Sequence, residues 1–244
     1  KHLQSLGLTI LRFTNEEVIH NISPVIKTIS DIITAHTNSP LGDGGRSEVK
    51  KELTNSPLGD GGKTRLYIIK IGGNIIDDEA KLSAFLEDFA SIEEKKVLVH
   101  GGGKLATRLA EKLGIEQQLV EGRRITDAET LKLVTMVYAG YINKNIVASL
   151  QASQCNAIGL CGADGGATLA HKRQHPVLDF GFVGDVDTVN TELINSFLQK
   201  NIAVVFSPIT HDQQGQLLNT NADTIAQEIA KAMSTLYDVE LIYS

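Results

Sequence analysis

The 244-residue chain has no tryptophan, only two cysteines and only five prolines. Cys155 and Cys161 cannot build a disulfide framework, which excludes the small disulfide-stapled class and fits a reducing compartment. They also lack a Cys-x-x-Cys or histidine partner and read as small core residues, so no metal site is expected. No apolar run reaches the roughly 18 residues of a membrane span, and no signal-peptide pattern opens the chain. No membrane partner is expected, and the expected setting is the cytoplasm. Basic excess is missing too: 23 Lys and Arg stand against 29 Asp and Glu, a formal charge of −6. A nucleic-acid partner would call for a basic face, so none is expected.

Familiar nucleotide motifs are also absent. A Walker A loop would need Gly at 98 and Ser or Thr at 105, where Leu98 and Leu105 stand. Neither glycine-rich loop spells G-x-G-x-x-G. Asp179-Phe180-Gly181 matches the magnesium motif of protein kinases, but no His-Arg-Asp loop precedes it, so it reads as a chance match within a hairpin.

The sequence is 42% apolar and 21% charged, with 22 glycines. That is the composition of a globular protein long enough to bury a large core without cross-links. Its first quarter reads differently from the rest. Residues 8–13 are strand-like and residues 16–33 helix-like. The nonapeptide Thr37-Asn38-Ser39-Pro40-Leu41-Gly42-Asp43-Gly44-Gly45 then returns letter for letter 17 positions later, at residues 54–62. Two copies of so short a repeat cannot build a solenoid. Pro, Gly, Asn, Asp and Ser dominate each copy, so the stretch reads as a flexible linker. No Lys-Ser or Lys-Thr follows its glycines and EF-hand acidic spacing is missing, which argues against a phosphate or calcium loop. Three units are expected: residues 1–36, a linker at 37–64, and a main domain at 65–244.

In the main domain, apolar runs alternate with helical periodicity. Strands are expected at 66–71, 97–100, 156–160, 202–207 and 240–243. Helices are expected at 79–91, 104–113, 127–151, 191–200 and 222–233, with a hairpin over 178–189. Strands alternating with helices imply an α/β fold with a mostly parallel central sheet.

Ligands bind such sheets at the carboxyl ends of strands. Two expected strands end in glycine loops, Gly72-Gly73 and Gly101-Gly102-Gly103, where backbone N–H groups can approach an anion. Lys70 ends an otherwise apolar strand. It reads either as an edge-strand lysine reaching solvent or as a fixed cation aimed at a transferring phosphoryl group. Arg124 lies in the loop Glu121-Gly122-Arg123-Arg124-Ile125-Thr126 and is either a solvated charge or a bidentate carboxylate grip. Asn219, Asn221 and Asp223 open the last helix, as caps or as a polar site wall.

These residues resemble the amino-acid kinase superfamily, and most closely its N-acetylglutamate kinase branch. The matches run in order: Lys70-Ile71-Gly72-Gly73, His100-Gly101-Gly102-Gly103, Gly122-Arg123-Arg124-Ile125-Thr126, Ala139-Gly140 with Asn143-Lys144, Gly181-Phe182-Val183-Gly184, and Asn219-Thr220-Asn221-Ala222-Asp223. The resemblance implies an αβα sandwich in which the first lobe binds an N-acyl-L-glutamate and the later one MgATP. It implies phosphate transfer to the side-chain carboxylate, as in arginine biosynthesis. By position, Lys70 would neutralise the moving phosphoryl group, Gly73 and Gly102 would offer N–H donors, and Asp223 would orient catalytic lysine. Gly102, Gly103, Gly122, Arg124 and Asn219 would hold the acceptor, and Gly72 and Gly101 would lie on the nucleotide side. ATP would carry Mg2+ on its own phosphates. Family members run beyond the strand at 240–243, so the expectation is an ATP lobe that is incomplete within this sequence, lacking a second catalytic lysine. Arginine feedback and hexamers go with an N-terminal helix in the family; the upstream segment does not resemble it, so a homodimer is expected. Residues 1–36 instead resemble the tail of very-short-patch-repair nucleases, without their acidic cluster. A different carboxylate, carbamate or nucleotide kinase, or a non-catalytic binding fragment, stays open at this point.

Overall fold

Alternation in the first long strand of the main domain decides the architecture. Successive side chains of Arg65–Ile71 leave opposite faces of the strand, yet both faces are apolar. Tyr67, Ile69 and Ile71 belong to one core cluster, Leu66 and Ile68 to another. A strand buried on both faces needs a covering layer on each side.

A computed structural model of the chain has that arrangement. It describes residues 9–12, 62–116, 119–120 and 123–244; at Thr9, Leu11, Arg12, Leu119, Val120, Arg123 and Arg124 only the backbone is described. Most of the expected N-terminal unit, the repeat region up to residue 61, and Gly122 lie outside the described residues.

In chain order the first half runs β1 (Thr9–Arg12), β2 (Arg65–Ile71), α1 (Gly73–Ile76), α2 (Glu79–Ser91), β3 (Lys95–His100), α3 (Gly103–Leu113), β4 (Leu119–Val120), β5 (Arg123–Arg124) and α4 (Ala128–Val134). A π-helical segment, Thr135–Ile142, joins α4 to α5 (Asn143–Ala152). The second half runs β6 (Ala157–Leu160), β7 (Thr168–Lys172), β8 (Gly184–Val189), α6 (Thr191–Leu198), β9 (Ala203–Phe206), β10 (Ile209–His211), β11 (Leu217–Asn219), α7 (Ala222–Met233) and β12 (Asp238–Tyr243).

The main sheet has the order β1-β12-β2-β3-β9-β6 and every pairing in it is parallel. One core cluster includes buried residues of α2, α3 and the long α4–π–α5 rod, and the other those of α6 and α7. The fold is thus α/β with an αβα sandwich. A smaller sheet, β11-β10-β7-β8, carries Asn219 at the end of β11. β1 pairs with β12 in the register Thr9↔Glu240 to Arg12↔Tyr243, so a piece of the N-terminal segment forms the edge strand.

The expected strands and helices of the main domain are present, with two corrections. The long helix expected over 127–151 is interrupted by the π-helical segment. The hairpin expected over 178–189 does not form: β8 pairs antiparallel with β7, a strand not anticipated, and Asp179 turns the chain by accepting from Gly181 N–H at 2.9 Å. The alternation in 178–189 was real, but the partner lay upstream; periodicity names a strand, not its neighbour.

Candidate functional site

All strands of the main sheet point the same way, so their carboxyl ends share one edge, and a cavity of about 660 Å3 lies there. Its size suits a small-molecule site. Lys70 enters it by strand alternation. The residue sits on the face of Leu66 and Ile68, the face covered by α7, and at the first turn of α7 stands Asp223. The Lys70 ammonium meets the Asp223 carboxylate at 2.8 Å; the lysine side chain is 16% exposed and the aspartate 55%. β2 lies between β12 and β3, so Lys70 is not an edge-strand lysine.

The two glycine loops flank this pair, and Gly72, Gly73, Gly101, Gly102 and Gly103 all line the cavity. Gly101 N–H donates to Ile71 O at 3.0 Å, which ties one loop to the other strand's end. At Gly102 only glycine fits: φ is +147°, and a Cβ would lie 2.3 Å from Ile142 Cδ1 and 3.2 Å from the Tyr138 ring. Gly102 is the N-cap residue of α3 and provides no side-chain cap, and the partial positive charge of the helix N-terminus beside the cavity suits an anion.

Under this loop, on the opposite face of the sheet from Lys70, His100 is fully buried. Its Nδ1 lies 2.8 Å from Gly101 O and its Nε2 3.2 Å from Asn143 Nδ2, which also donates to Val205 O at 3.0 Å. Because Nδ2 is a donor, Nε2 accepts and Nδ1–H donates to Gly101. Burial pushes the imidazole pKa down to about 4, opposed by the Gly101 carbonyl and helped by nearby Lys144. A neutral histidine therefore braces the glycine loop.

Asn219 also lines the cavity, and its Nδ2 donates to Thr126 Oγ1 at 3.0 Å. Asn221 serves both of its expected purposes: it lines the cavity, and its Oδ1 caps α7 by accepting from Asp223 N–H and Thr224 N–H. Arg124 lies in β5, which pairs with β4 and leads to Thr126; its side chain and Gly122 are outside the described residues. Local sequence did not single out three other lining residues. Lys104 donates to Asn74 Oδ1 at 2.8 Å, Arg173 grips Asp185 through Nε and Nη2, and Tyr138 packs by Gly102. Arg173 and Asp185 come together through the unanticipated β7–β8 pairing, so no local pattern could have announced them. Among the described residues, no group of three or more His, Cys, Asp or Glu side chains gathers to hold a metal.

A cation fixed in a crevice of backbone donors, beside a polar wall, defines a site for moving a negatively charged group onto a small acceptor. The chain belongs to the amino acid kinase family, whose model matches residues 65–241. It is 57% identical over 182 residues to the acetylglutamate kinase of Cytophaga hutchinsonii, covering 73% of this chain and 68% of that protein. It is 56% identical over 179 residues to the acetylglutamate kinase of Bacteroides fragilis, covering 73% and 69%. Among solved structures, smu.665 from Streptococcus mutans UA159 superposes with a TM-score of 0.62 at 24% identity over 69% of each chain, a likeness of fold.

Proposed function

We infer that the chain is an acetylglutamate kinase, transferring the γ-phosphate of ATP to the side-chain carboxylate of N-acetyl-L-glutamate in arginine biosynthesis. The Lys70–Asp223 pair between two glycine loops carries the phosphoryl-transfer reading. Relatives above 55% identity named acetylglutamate kinase support the acceptor. An acceptor carboxylate, with an ordinary pKa near 4.3, is already ionised at pH 7, so the reaction needs no general base. A site built of cations and N–H donors suits that chemistry. A carboxylate oxygen of the acceptor forms a bond to the γ-phosphorus as the bond to the β–γ bridging oxygen breaks, leaving ADP and an acyl phosphate.

Lys70 neutralises charge on the transferring group, Asp223 holds Lys70 in place, and Gly73 and Gly102 donate N–H groups to phosphate oxygens. Gly102, Gly103, Gly122, Arg124 and Asn219 hold the acceptor; Gly72 and Gly101 shape the nucleotide side. Mg2+, when carried on the nucleotide phosphates, would supply further charge neutralisation. We assign the catalytic domain to residues 65–244, the linker to 37–64 and a separate origin to 1–36. We also assign a cytoplasmic setting and a homodimer, the latter supported by the exposed Met136 and Tyr141 on the π-helical segment. No helix among the described residues is long and apolar enough to cross a membrane.

The test is to incubate the chain with MgATP and N-acetyl-L-glutamate and trap the acyl phosphate with hydroxylamine, with carbamate and UMP as control acceptors. Hydroxamate formed with N-acetylglutamate supports the assignment. Binding of N-acetylglutamate by calorimetry without hydroxamate would keep the acceptor and remove the activity from this chain. Neither binding nor turnover would overturn both.

A further inference from the structure

Asn143 stands where the π-helical segment passes into α5, and it is fully buried. Short π-helical insertions are frequent at functional sites. The Asn143 carboxamide can be held in one orientation only. Its Nδ2 donates to Val205 O at 3.0 Å, and its Oδ1 accepts from the Lys144 ammonium at 3.0 Å. A carbonyl oxygen has no proton to give, and an ammonium has no lone pair to accept with. Lys144 is itself anchored on Gly159 O at 2.8 Å. No side chain fits at Gly159, where a Cβ would lie 1.9 Å from Asn143 Oδ1. The donors therefore run one way, from the Lys144 ammonium through Asn143 to His100 Nε2, and from His100 Nδ1–H to Gly101 O.

The last of these bonds decides the direction of a neighbouring group. Gly101 C=O and Gly102 N–H belong to one planar trans peptide, in which they point opposite ways. His100 draws the carbonyl toward its buried ring, so Gly102 N–H points away from that ring. Gly102 lines the cavity, and among the described residues no backbone group accepts from its N–H. Hydrogen bonds that run in one sense polarise one another, so a chain that begins at a fixed cation makes this N–H a stronger donor. We propose that Asn143 is a positioning residue, acting through His100 to turn the Gly101–Gly102 peptide so that Gly102 N–H is offered to the reacting carboxylate of the acceptor. The proposal rests on the acceptor reading above and adds to it the control of one donor by Lys144, Asn143 and His100, none of which lines the cavity. Without Asn143 Nδ2 the imidazole is free to become its Nε2–H tautomer. Nδ1 then sets a lone pair against the Gly101 carbonyl, and the peptide is released.

The experiment is nitrogen-15 NMR on the unmodified chain, Asn143→Leu, His100→Leu and His100→Asn, with N-acetyl-L-glutamate titrated into each and its affinity measured by calorimetry. In the unmodified chain at pH 7, His100 is expected as the Nδ1–H tautomer, and the ligand is expected to move the Gly102 amide proton downfield. Asn143→Leu and His100→Leu are expected to weaken binding by about tenfold, the scale of one hydrogen bond, and to shrink the Gly102 response. His100→Asn, whose amide nitrogen falls where Nδ1 stood, is expected to restore both; a merely structural histidine would be lost equally in either variant. An Asn143→Leu chain with binding and Gly102 response unchanged, or an equal loss in His100→Asn and His100→Leu, overturns the proposal. Should the leucine variants fail to fold, the tautomer and the Gly102 response of the unmodified chain decide it. If the unmodified chain binds N-acetyl-L-glutamate with an Nε2–H tautomer, or with the Gly102 amide unmoved, the proposal fails and the acceptor reading survives; if it does not bind, both fall.

Discussion

Lys70 shows how one residue's role follows from strand geometry. Its polar head in an apolar strand is visible in the sequence, and so is the glycine loop that follows. Local pattern could not decide between a solvent-facing edge lysine and a site cation. β2 is an interior strand, and period-2 alternation sends Lys70 to the α7 face, where Asp223 waits at 2.8 Å. If Lys70 neutralises the moving phosphoryl group, Lys70→Ala should lower kcat by about 10²–10³. With the acceptor proposed to be held by other residues, its affinity should stay within about threefold, measured by calorimetry. Loss of both in parallel would move Lys70 from transition-state stabilisation to substrate binding. Asp223 is more than half exposed, so its carboxylate can be hydrated when the lysine is removed and the fold should persist.

Among the elements, α2 depends on a residue that belongs to another one. Lys96 in β3 is buried, and its ammonium donates to Phe89 O at 2.8 Å, Ala90 O at 3.0 Å and Ile92 O at 2.7 Å. These carbonyls lie at the end of α2, where backbone donors run short (Phe89 O has only a 3.4 Å bond from Ile92 N–H) and the helix dipole favours a cation. Burial draws the Lys96 pKa below its ordinary value, but three carbonyl acceptors hold the charge. Lys96→Met keeps the aliphatic stem and removes all three bonds, so it should cost about 1–3 kcal/mol. A fall in melting temperature of roughly 2–12 °C, at about 2–4 °C per kcal/mol for a chain of this size, is expected in a scanning calorimeter. An unchanged melting temperature would mean that water replaces the ammonium at no cost. The helix itself was legible from its periodicity; its C-terminal cap was not, because the donor comes from the neighbouring strand. The same holds for β7 and β8, whose pairing brings Arg173 to Asp185.

On the scale of the whole molecule, the buried His100 couples stability to pH. Its folded-state pKa is about 4 against about 6.5 when unfolded. Between those values the unfolded chain binds the extra proton, so stability falls as pH drops from about 6.5 and levels off near 4. The full shift corresponds to roughly 3 kcal/mol. His100→Gln should therefore show a smaller loss of urea midpoint between pH 7 and pH 4.5 than the unmodified chain. Equal losses would locate the acid sensitivity in the carboxylates instead. By itself the sequence determined the layer architecture, because strands apolar on both faces, alternating with amphipathic helices, bury their surface only as a covered parallel sheet. It also determined the glycine loops and Lys70 as the site's landmarks, since these sit at strand ends and carry their chemistry locally. Only the tertiary structure decided which residues meet at and beside the cavity. Thr126 and Asn219 are 93 positions apart and Lys70 and Asp223 belong to different elements. Such pairings are set by which strands become neighbours and in what register, which periodicity along one segment does not encode.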